Sequence, residues 1–220
     1  DGYDFVNDDE DPMDDYGHGT HCAGIAAGNG NVKGVAPDAI LYAYKVLNEM
    51  GGGTEADVIL GIERAVDPNN DDDFSDCIDV ISMSLGGYGN PDDPASQAVD
   101  NAVENGVVVV ISAGNSGPSQ KTIRSPGTSR KAITVGASCK TVDIGTDNYC
   151  SSAVSSFSSR GPVVWKEGSM IKPDVIAPGV NIISTVRNGG YESNSGTSMA
   201  APHVAGAAAL LIQAHSDWLP

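Results

Sequence analysis

The chain has 220 residues, enough for one sizeable hydrophobic core and too few to require two domains. Acidic residues outnumber Lys and Arg by 29 to 12, and the resulting net charge of -17 argues against nucleic acid and anionic membrane surfaces as partners. No apolar run approaches the roughly 18–20 residues needed to cross a bilayer, and with only 3 Phe and 2 Trp the interior must be filled by small aliphatic side chains.

The first 16 residues are acidic and rich in turn formers and read as a surface loop. From His18 small residues continue at helical spacing until Gly28-Asn29-Gly30-Asn31 stops them. The apolar run 40–47, bounded by Pro37-Asp38 and Asn48, reads as a strand. Val58, Ile59, Ile62, Ala65 and Val66 recur every 3.6 residues and predict a helix over 54–66, with Glu55 and Asp57 in its first turn where they favour the helix dipole. A polar loop over 67–76 leads into a mostly buried strand over 78–85. Asp93-Pro94 opens another helix as cap residue and first-turn proline. Gly106 closes it, and Val107 to Ile111 is the unbroken β-branched run that a central parallel strand requires. Further strands are expected over 132–137 and 181–186. The last helix, over 197–214, is almost wholly Ala, Val, Leu and Ile, so burial on most sides is expected.

Strand-helix alternation of this kind implies right-handed crossovers. The fold expected is therefore α/β, with three layers in one domain over 1–220: a central, mainly parallel β-sheet covered by helices on both faces. In such folds sites lie beyond the carboxyl ends of the strands. Gly86 and Asn115 fall just past two such ends. The chain opens on Asp1-Gly2-Tyr3 without a starting Met or a leader, and stops at Pro220 just after a helical pattern, so it reads as an internal piece of a longer precursor.

Two segments carry reactive side chains among glycines and small residues at helix starts. They are Gly17-His18-Gly19-Thr20-His21-Cys22-Ala23-Gly24 and Gly196-Thr197-Ser198-Met199-Ala200-Ala201-Pro202-His203. A base and a nucleophile brought together across a fold are the minimal parts of covalent hydrolysis. Each feature also has a plainer reading, with Ser198 a helix cap, His18 and His21 structural histidines, and Asn115 a turn residue. A zinc pair of the His-Glu-x-x-His type needs i, i+4 spacing and a Glu, and neither is present. None of the four cysteines forms a Cys-x-x-Cys pair, which argues against a zinc knuckle or a thioredoxin site. Cys139 and Cys150 bracket a polar loop that a disulfide would close, worth about 2–3 kcal/mol if formed. Cys22, among small residues, reads as a buried free thiol.

The His18 and Ser198 segments resemble, almost letter for letter, the His and Ser signatures of the subtilisin-like serine proteases, the subtilases. Ser112-Ala113-Gly114-Asn115-Ser116-Gly117-Pro118 resembles that family's oxyanion-hole strand end. The resemblance covers essentially the whole chain. It implies a serine endopeptidase in which Ser198 is acylated, His18 is the general base and Asn115 donates to the oxyanion, with His21 and His203 structural. Ser84, Leu85 and Gly86 would pair with the substrate backbone. Ala113 and Gly114 would form another pocket wall, whose small residues imply a roomy pocket for an apolar or aromatic side chain. The family's catalytic Asp, in an Asp-(Ser/Thr)-Gly motif, matches nothing in this sequence, and Asp14 and Asp15 lie too close to His18 to supply it. That Asp is expected upstream.

Calcium is the cofactor expected. In the loop over 67–76, Asp67, Asn69, Asp71, Asp73 and Asp76 place oxygen donors at nearly alternate positions. The loop departs from an EF-hand, with Asp72 where Gly belongs and Ile78 where the bidentate Glu belongs, and a solvated turn is its plainer reading. The acidic loop over 7–15 is a second candidate. The protein expected is thus a secreted, monomeric, calcium-stabilised endopeptidase acting on polypeptides and made with an N-terminal propeptide. The rival is a non-catalytic peptide-binding or calcium-dependent surface protein on the same scaffold.

Overall fold

The computed structural model describes residues 2–220. Its centre is a four-stranded, all-parallel sheet of β3 (Val80–Met83), β4 (Val108–Ser112), β5 (Ile133–Ser138) and β8 (Val175–Pro178), in the order β3-β4-β5-β8. Side chains alternate across a strand, and here the alternation divides the core in two. Val107, Val109 and Ile111 pack with Met83 against α2 (Glu55–Val66) and α3 (Pro94–Glu104), through Val58, Ile62, Val66 and Val99. Val108 and Val110 point the other way, joining Val135, Ala137 and Ala177 against Ala200, Ala201 and Ala205 of α4 (Thr197–Ala214). The three-layer α/β expectation holds. α1 (His18–Ala27) lies against α4 and β9 (Ile182–Thr185) on that second side.

Local chemistry starts these helices where the sequence indicates. Thr54 and Asp57 form a reciprocal capping box at α2, with Asp57 N–H donating to Thr54 Oγ1 at 3.1 Å. Asp93 caps α3 by accepting from Ser96 N–H at 2.8 Å, ahead of Pro94.

Several elements depart from expectation. The segment read as an opening loop contains β1 (Gly2–Asp4), which pairs in parallel with β2 (Ala43–Lys45). The expected strand over 40–47 is only those three residues of β2, and Ile40, Leu41 and Tyr42 before it are exposed. β9 pairs antiparallel with β10 (Tyr191–Asn194) outside the main sheet, and β6 (Val163–Trp165) pairs with β7 (Gly168–Met170) in a hairpin absent from the sequence reading. α4 is buried or half-buried up to Ala208 except at Ala207, but Leu210 and Leu211 in its last turns are exposed. Cys139 and Cys150 are joined as a disulfide that closes their loop.

One ionic knot holds the β1–β2 pair. Asp4, 1% exposed, receives Lys45 Nζ at 2.8 Å together with the N–H groups of Val6 and Asn7. Lys45 Nζ also donates to Asp15 at 2.7 Å. Burial alone would raise the Asp4 pKa, but Lys45 and the Asn7 and Val6 donors outweigh it and hold the group at about 2, against an ordinary 3.8. A depressed carboxyl pKa stabilises the fold fully above its ordinary value, and the contribution fades as pH falls from about 4 towards 2. Asp4→Ala is expected to cost about 3 kcal/mol at pH 7, because it strips a buried partner from Lys45. Urea unfolding should show that loss shrinking as the pH is lowered through this window.

Candidate active site

Ser198 is the second residue of α4, and its surroundings are set by the residue before it. Thr197 donates through both its N–H and its hydroxyl to Asn115 Oδ1, each at 2.9 Å, and its Oγ1 accepts from Gly114 N–H at 3.1 Å. A backbone N–H can bond only the oxygen end of an amide, so the Asn115 nitrogen faces the other way. Asn115 Nδ2 and the Ser198 N–H lie 3.5 and 3.6 Å from where a Cβ on Gly196 would sit. Two donors thus border one small space, which exists because residue 196 has no side chain. The Ser198 N–H belongs to the first turn of α4, where helix N–H groups lack internal partners and the dipole is positive.

On the opposite side, Ser84 follows directly from β3. Its Oγ donates to the Ser198 carbonyl at 2.8 Å, and its own carbonyl accepts from Ser198 Oγ at 3.4 Å. Cys22 Sγ also reaches the Ser198 carbonyl, at 3.3 Å, and lies 4.0 Å from His18 Nδ1. Burial pushes the Cys22 thiol pKa up to about 11, despite a favourable contact with Ser84, so the group is an uncharged packing element at neutral pH.

His18 opens α1 after Gly17, whose φ of 106° lies in the left-handed region. Asp14 fixes this helix start. Its Oδ1 accepts from the Tyr16 and Gly17 N–H groups, and its Oδ2 from the N–H and hydroxyl of Thr20. Burial would raise the Asp14 pKa, but these hydrogen bonds, led by Thr20, hold it low. For His18, burial first and the neighbouring His21 second lower the pKa from 6.5, against an opposing pull from Asp14. The imidazole is therefore neutral at pH 7. His18 and Ser198 form no hydrogen bond to each other among the described residues. Such contacts are often loose without substrate.

The remaining histidines take structural positions. His21 is 1% exposed and meets the Glu192 carbonyl through Nε2 at 3.1 Å. His203 Nδ1 meets the Met199 carbonyl at 2.8 Å. His215 stacks on Trp218 at the exposed end of α4.

The two expected substrate walls, Ser84–Leu85–Gly86 and Ala113–Gly114, flank Ser198. They are linked through the segment around Ser125, where Gly87 and Ser125 exchange backbone hydrogen bonds of 2.8 and 3.1 Å, and Arg124 N–H donates to the Ala113 carbonyl. Sequence reasoning missed Arg124. A Cβ on Gly114 would lie 2.6 Å from Arg124 Cγ, and one on Gly86 would lie 3.1 Å from Arg124 Cβ. The space that small residues leave between the walls is crossed by the Arg124 stem. The signal was present in the sequence only as a basic residue ten positions beyond Gly114, in a segment shared with Lys121.

Asp67, Asn69, Asp71, Asp73 and Asp76 all lie on one exposed loop. Asp67 and Asn69 side chains accept the Asp71 N–H, Asp71 accepts the Asp73 N–H, and Asp73 accepts the Ser75 N–H. Asn70 and Asp72 take φ of 60° and 63°, which winds the loop tightly. The donors are all oxygens, as a hard cation requires. Among the described residues, no three acids, histidines or cysteines converge as a metal cluster. In the loop over 7–15, Asp14 and Asp15 are engaged by α1 and Lys45.

Comparison with known proteins gives the family. The subtilase family (peptidase S8) model matches residues 1–220. The chain belongs to the subtilase family. It is 45% identical to the serine protease AprX of Bacillus subtilis over 99% of its own length, and spans 53% of that protein. It is 43% identical to subtilisin DY of Bacillus licheniformis, covering 96% of this chain and 69% of that one. The structure of sphericase superposes with a TM-score of 0.82 at 37% identity, covering 96% of this chain and 68% of that chain. The chain thus spans about half the length of AprX and about two thirds of subtilisin DY and sphericase.

Proposed function

We propose that this subtilase chain is the catalytic part of a serine endopeptidase. The observation that carries the reading is the convergence of Asn115 Nδ2 and the Ser198 N–H on the open space at Gly196, beside the Ser198 hydroxyl. Donors preset around such a space stabilise the oxyanion that develops when a hydroxyl attacks a peptide carbonyl. In this reading His18, neutral at pH 7, accepts the Ser198 proton as Oγ bonds the carbonyl carbon, and the oxyanion rests on Asn115 and the Ser198 N–H. His18 then protonates the departing amine, and water, deprotonated by the same imidazole, releases the acyl group. Polypeptides are the substrates. The Cys139–Cys150 disulfide suits an oxidising, extracellular setting, and a monomer made with an N-terminal propeptide completes the reading.

The catalytic Asp is assigned to a strand ahead of this chain. Two free edges support the assignment. β2 is bonded only to β1 and β3 only to β4 among the described residues. Yet α2 covers both, with Gly61 against Val46 and Tyr44 and with Val58 and Ile62 packed beside Met83. A strand inserted between β2 and β3 would unite the two sheets under one helix and end near His18.

A fluorophosphonate probe applied to the full-length protein should label Ser198, as mapped by mass spectrometry, and Ser198→Ala should abolish labelling. Labelling that persists would remove Ser198 from the role. Asn115→Ala should lower kcat by about 10²–10³, the size that loss of this donor has in subtilisin. A full-length protein that binds peptides but neither cleaves them nor takes the probe would favour the non-catalytic rival.

We also propose that calcium stabilises the fold through the loop over 67–76. Its support is the all-oxygen donor set and the winding that turns Asp67, Asn69, Asp71 and Asp73 about one short segment. An ion bound only to the native state adds about 2.7 kcal/mol at a hundredfold excess over Kd. Chelation should lower Tm, and a variant combining Asp71→Ala with Asp73→Ala should lose most of that response. An unchanged response in the double variant would move the ion elsewhere.

A further inference from the structure

We propose that Arg124 sets the substrate preference of this cleft, selecting an acidic side chain, glutamate above all, on the residue whose carbonyl Ser198 attacks. The inference rests on the proposed peptidase reading and deepens it. Its basis is where the guanidinium lies. The walls of the pocket beside Ser198 are residues 84–86, tied to Ser198 through Ser84, and residues 113–114, tied to α4 through Thr197. Arg124 passes between them, with its Cβ and Cγ against the faces of Gly86 and Gly114. Gly114 has φ of 99° as well as this close contact, so both its backbone and its missing side chain make room for the arginine.

Beyond the walls the guanidinium lies over the Tyr88 ring, 4.1 Å from its centroid. Nε and Nη2 donate to Ser116 Oγ at 3.3 and 2.9 Å. Nη1 has no hydrogen-bond partner among the described residues, and no carboxylate forms an ion pair with this arginine there. Elsewhere Arg130 is paired with Asp92 and Lys45 with both Asp4 and Asp15. The adjoining cavity, of about 220 Å³, is bordered by Tyr88, Ser116, Lys121 and Arg124, and no acidic residue lines it. In a chain with 29 acids against 12 Lys and Arg, no carboxylate lines this recess, and two cations do.

Each class of substrate side chain meets this recess differently. A carboxylate satisfies the free edge of a planar guanidinium with charge-assisted hydrogen bonds, while Tyr88 and Ser116 keep that plane oriented. An aromatic or aliphatic side chain would desolvate the guanidinium without replacing its water, a cost that grows with burial. A lysine side chain would bring like charge against Arg124 and Lys121. Glutamate is preferred to aspartate because the charge lies beyond the glycine walls, at the far end of the arginine stem. The roomy apolar pocket implied by Ala113 and Gly114 alone is thereby reassigned.

The test is a set of peptide p-nitroanilides of one sequence ending in Glu, Asp, Phe, Leu or Lys, hydrolysed by the full-length protein and by Arg124→Met and Arg124→Glu. The Glu peptide should exceed the Phe and Lys peptides in kcat/KM by at least about tenfold. Arg124→Met should erase that preference, and Arg124→Glu should turn it towards Lys. A wild-type protein that cleaves Phe or Leu peptides as well as Glu, with Arg124 variants that scale all five peptides alike, would overturn the assignment. Should no peptide be cleaved by any form, the peptidase reading fails, and binding decides the pocket. Calorimetry on Ser198→Ala with peptides ending in free Glu or free Phe should then show at least about tenfold tighter binding of Glu, lost on adding Arg124→Met. Equal binding of the two would overturn the proposal.

Discussion

The close approach of α1 to α4 is the constraint on which the site depends. At Gly206 a single added carbon would lie 2.7 Å from Val35 Cβ and 2.9 Å from the Ala26 carbonyl, so the helices can meet only with glycine at that position. Ala200 and Ala201, fully buried, bring the other face of α4 equally close to β4 and β5. Clamped between sheet and helix, the first turn of α4 cannot shift without opening a cavity, because such interiors are packed to crystal density. Ser198 is therefore held at a fixed offset from His18, with Cys22 Sγ filling the space between the Ser198 carbonyl and the imidazole.

Polar contacts then refine what packing positions. Thr197 turns the Asn115 amide, Asp14 pins the start of α1, and Ser84 holds the Ser198 carbonyl. Each fixes the direction of a neighbouring group, at the cost of ordering a small side chain rather than a long one. The electrostatics follow the same division. Acidic groups dominate the exterior, the imidazole is kept neutral by its burial, and the cations Arg124 and Lys121 border one recess with Tyr88 and Ser116.

What the sequence made legible was what repeats or caps. The β-branched run before Ser112, the 3.6-residue pattern of α2 and the Asp93-Pro94 start of α3 each carry their own local signal, and the structure places all three as read. Elements built by pairing alone were not legible. β1 is three residues, Gly-Tyr-Asp, and is a strand only because Lys45 and its neighbours in β2 bind it. β2 was overextended because an apolar run does not show which of its residues find an edge to pair with. In α4 the apolar composition continues past the sheet that buries its first half, so Leu210 and Leu211 emerge into solvent. The site divides in the same way. His18, Asn115 and Ser198 sit in glycine-bounded segments with recognisable spacing, whereas Arg124 reaches the pocket from a loop whose sequence is ordinary. Reading a pocket from its walls omits whatever crosses between them.

Central to the account is the proposal that a carboxylate from a strand seated between β2 and β3 pairs with the His18 imidazole. Isotope-labelled histidine, with resonances assigned through His18→Gln, lets its titration be followed by NMR. In the 220-residue chain, burial and the neighbouring His21 should keep His18 titrating below the ordinary 6.5. In the longer protein carrying an upstream Asp-(Ser/Thr)-Gly strand, the carboxylate should raise that value, and replacing the Asp by Asn should return it to the lower one. A His18 titration that is the same in all three proteins would contradict the account.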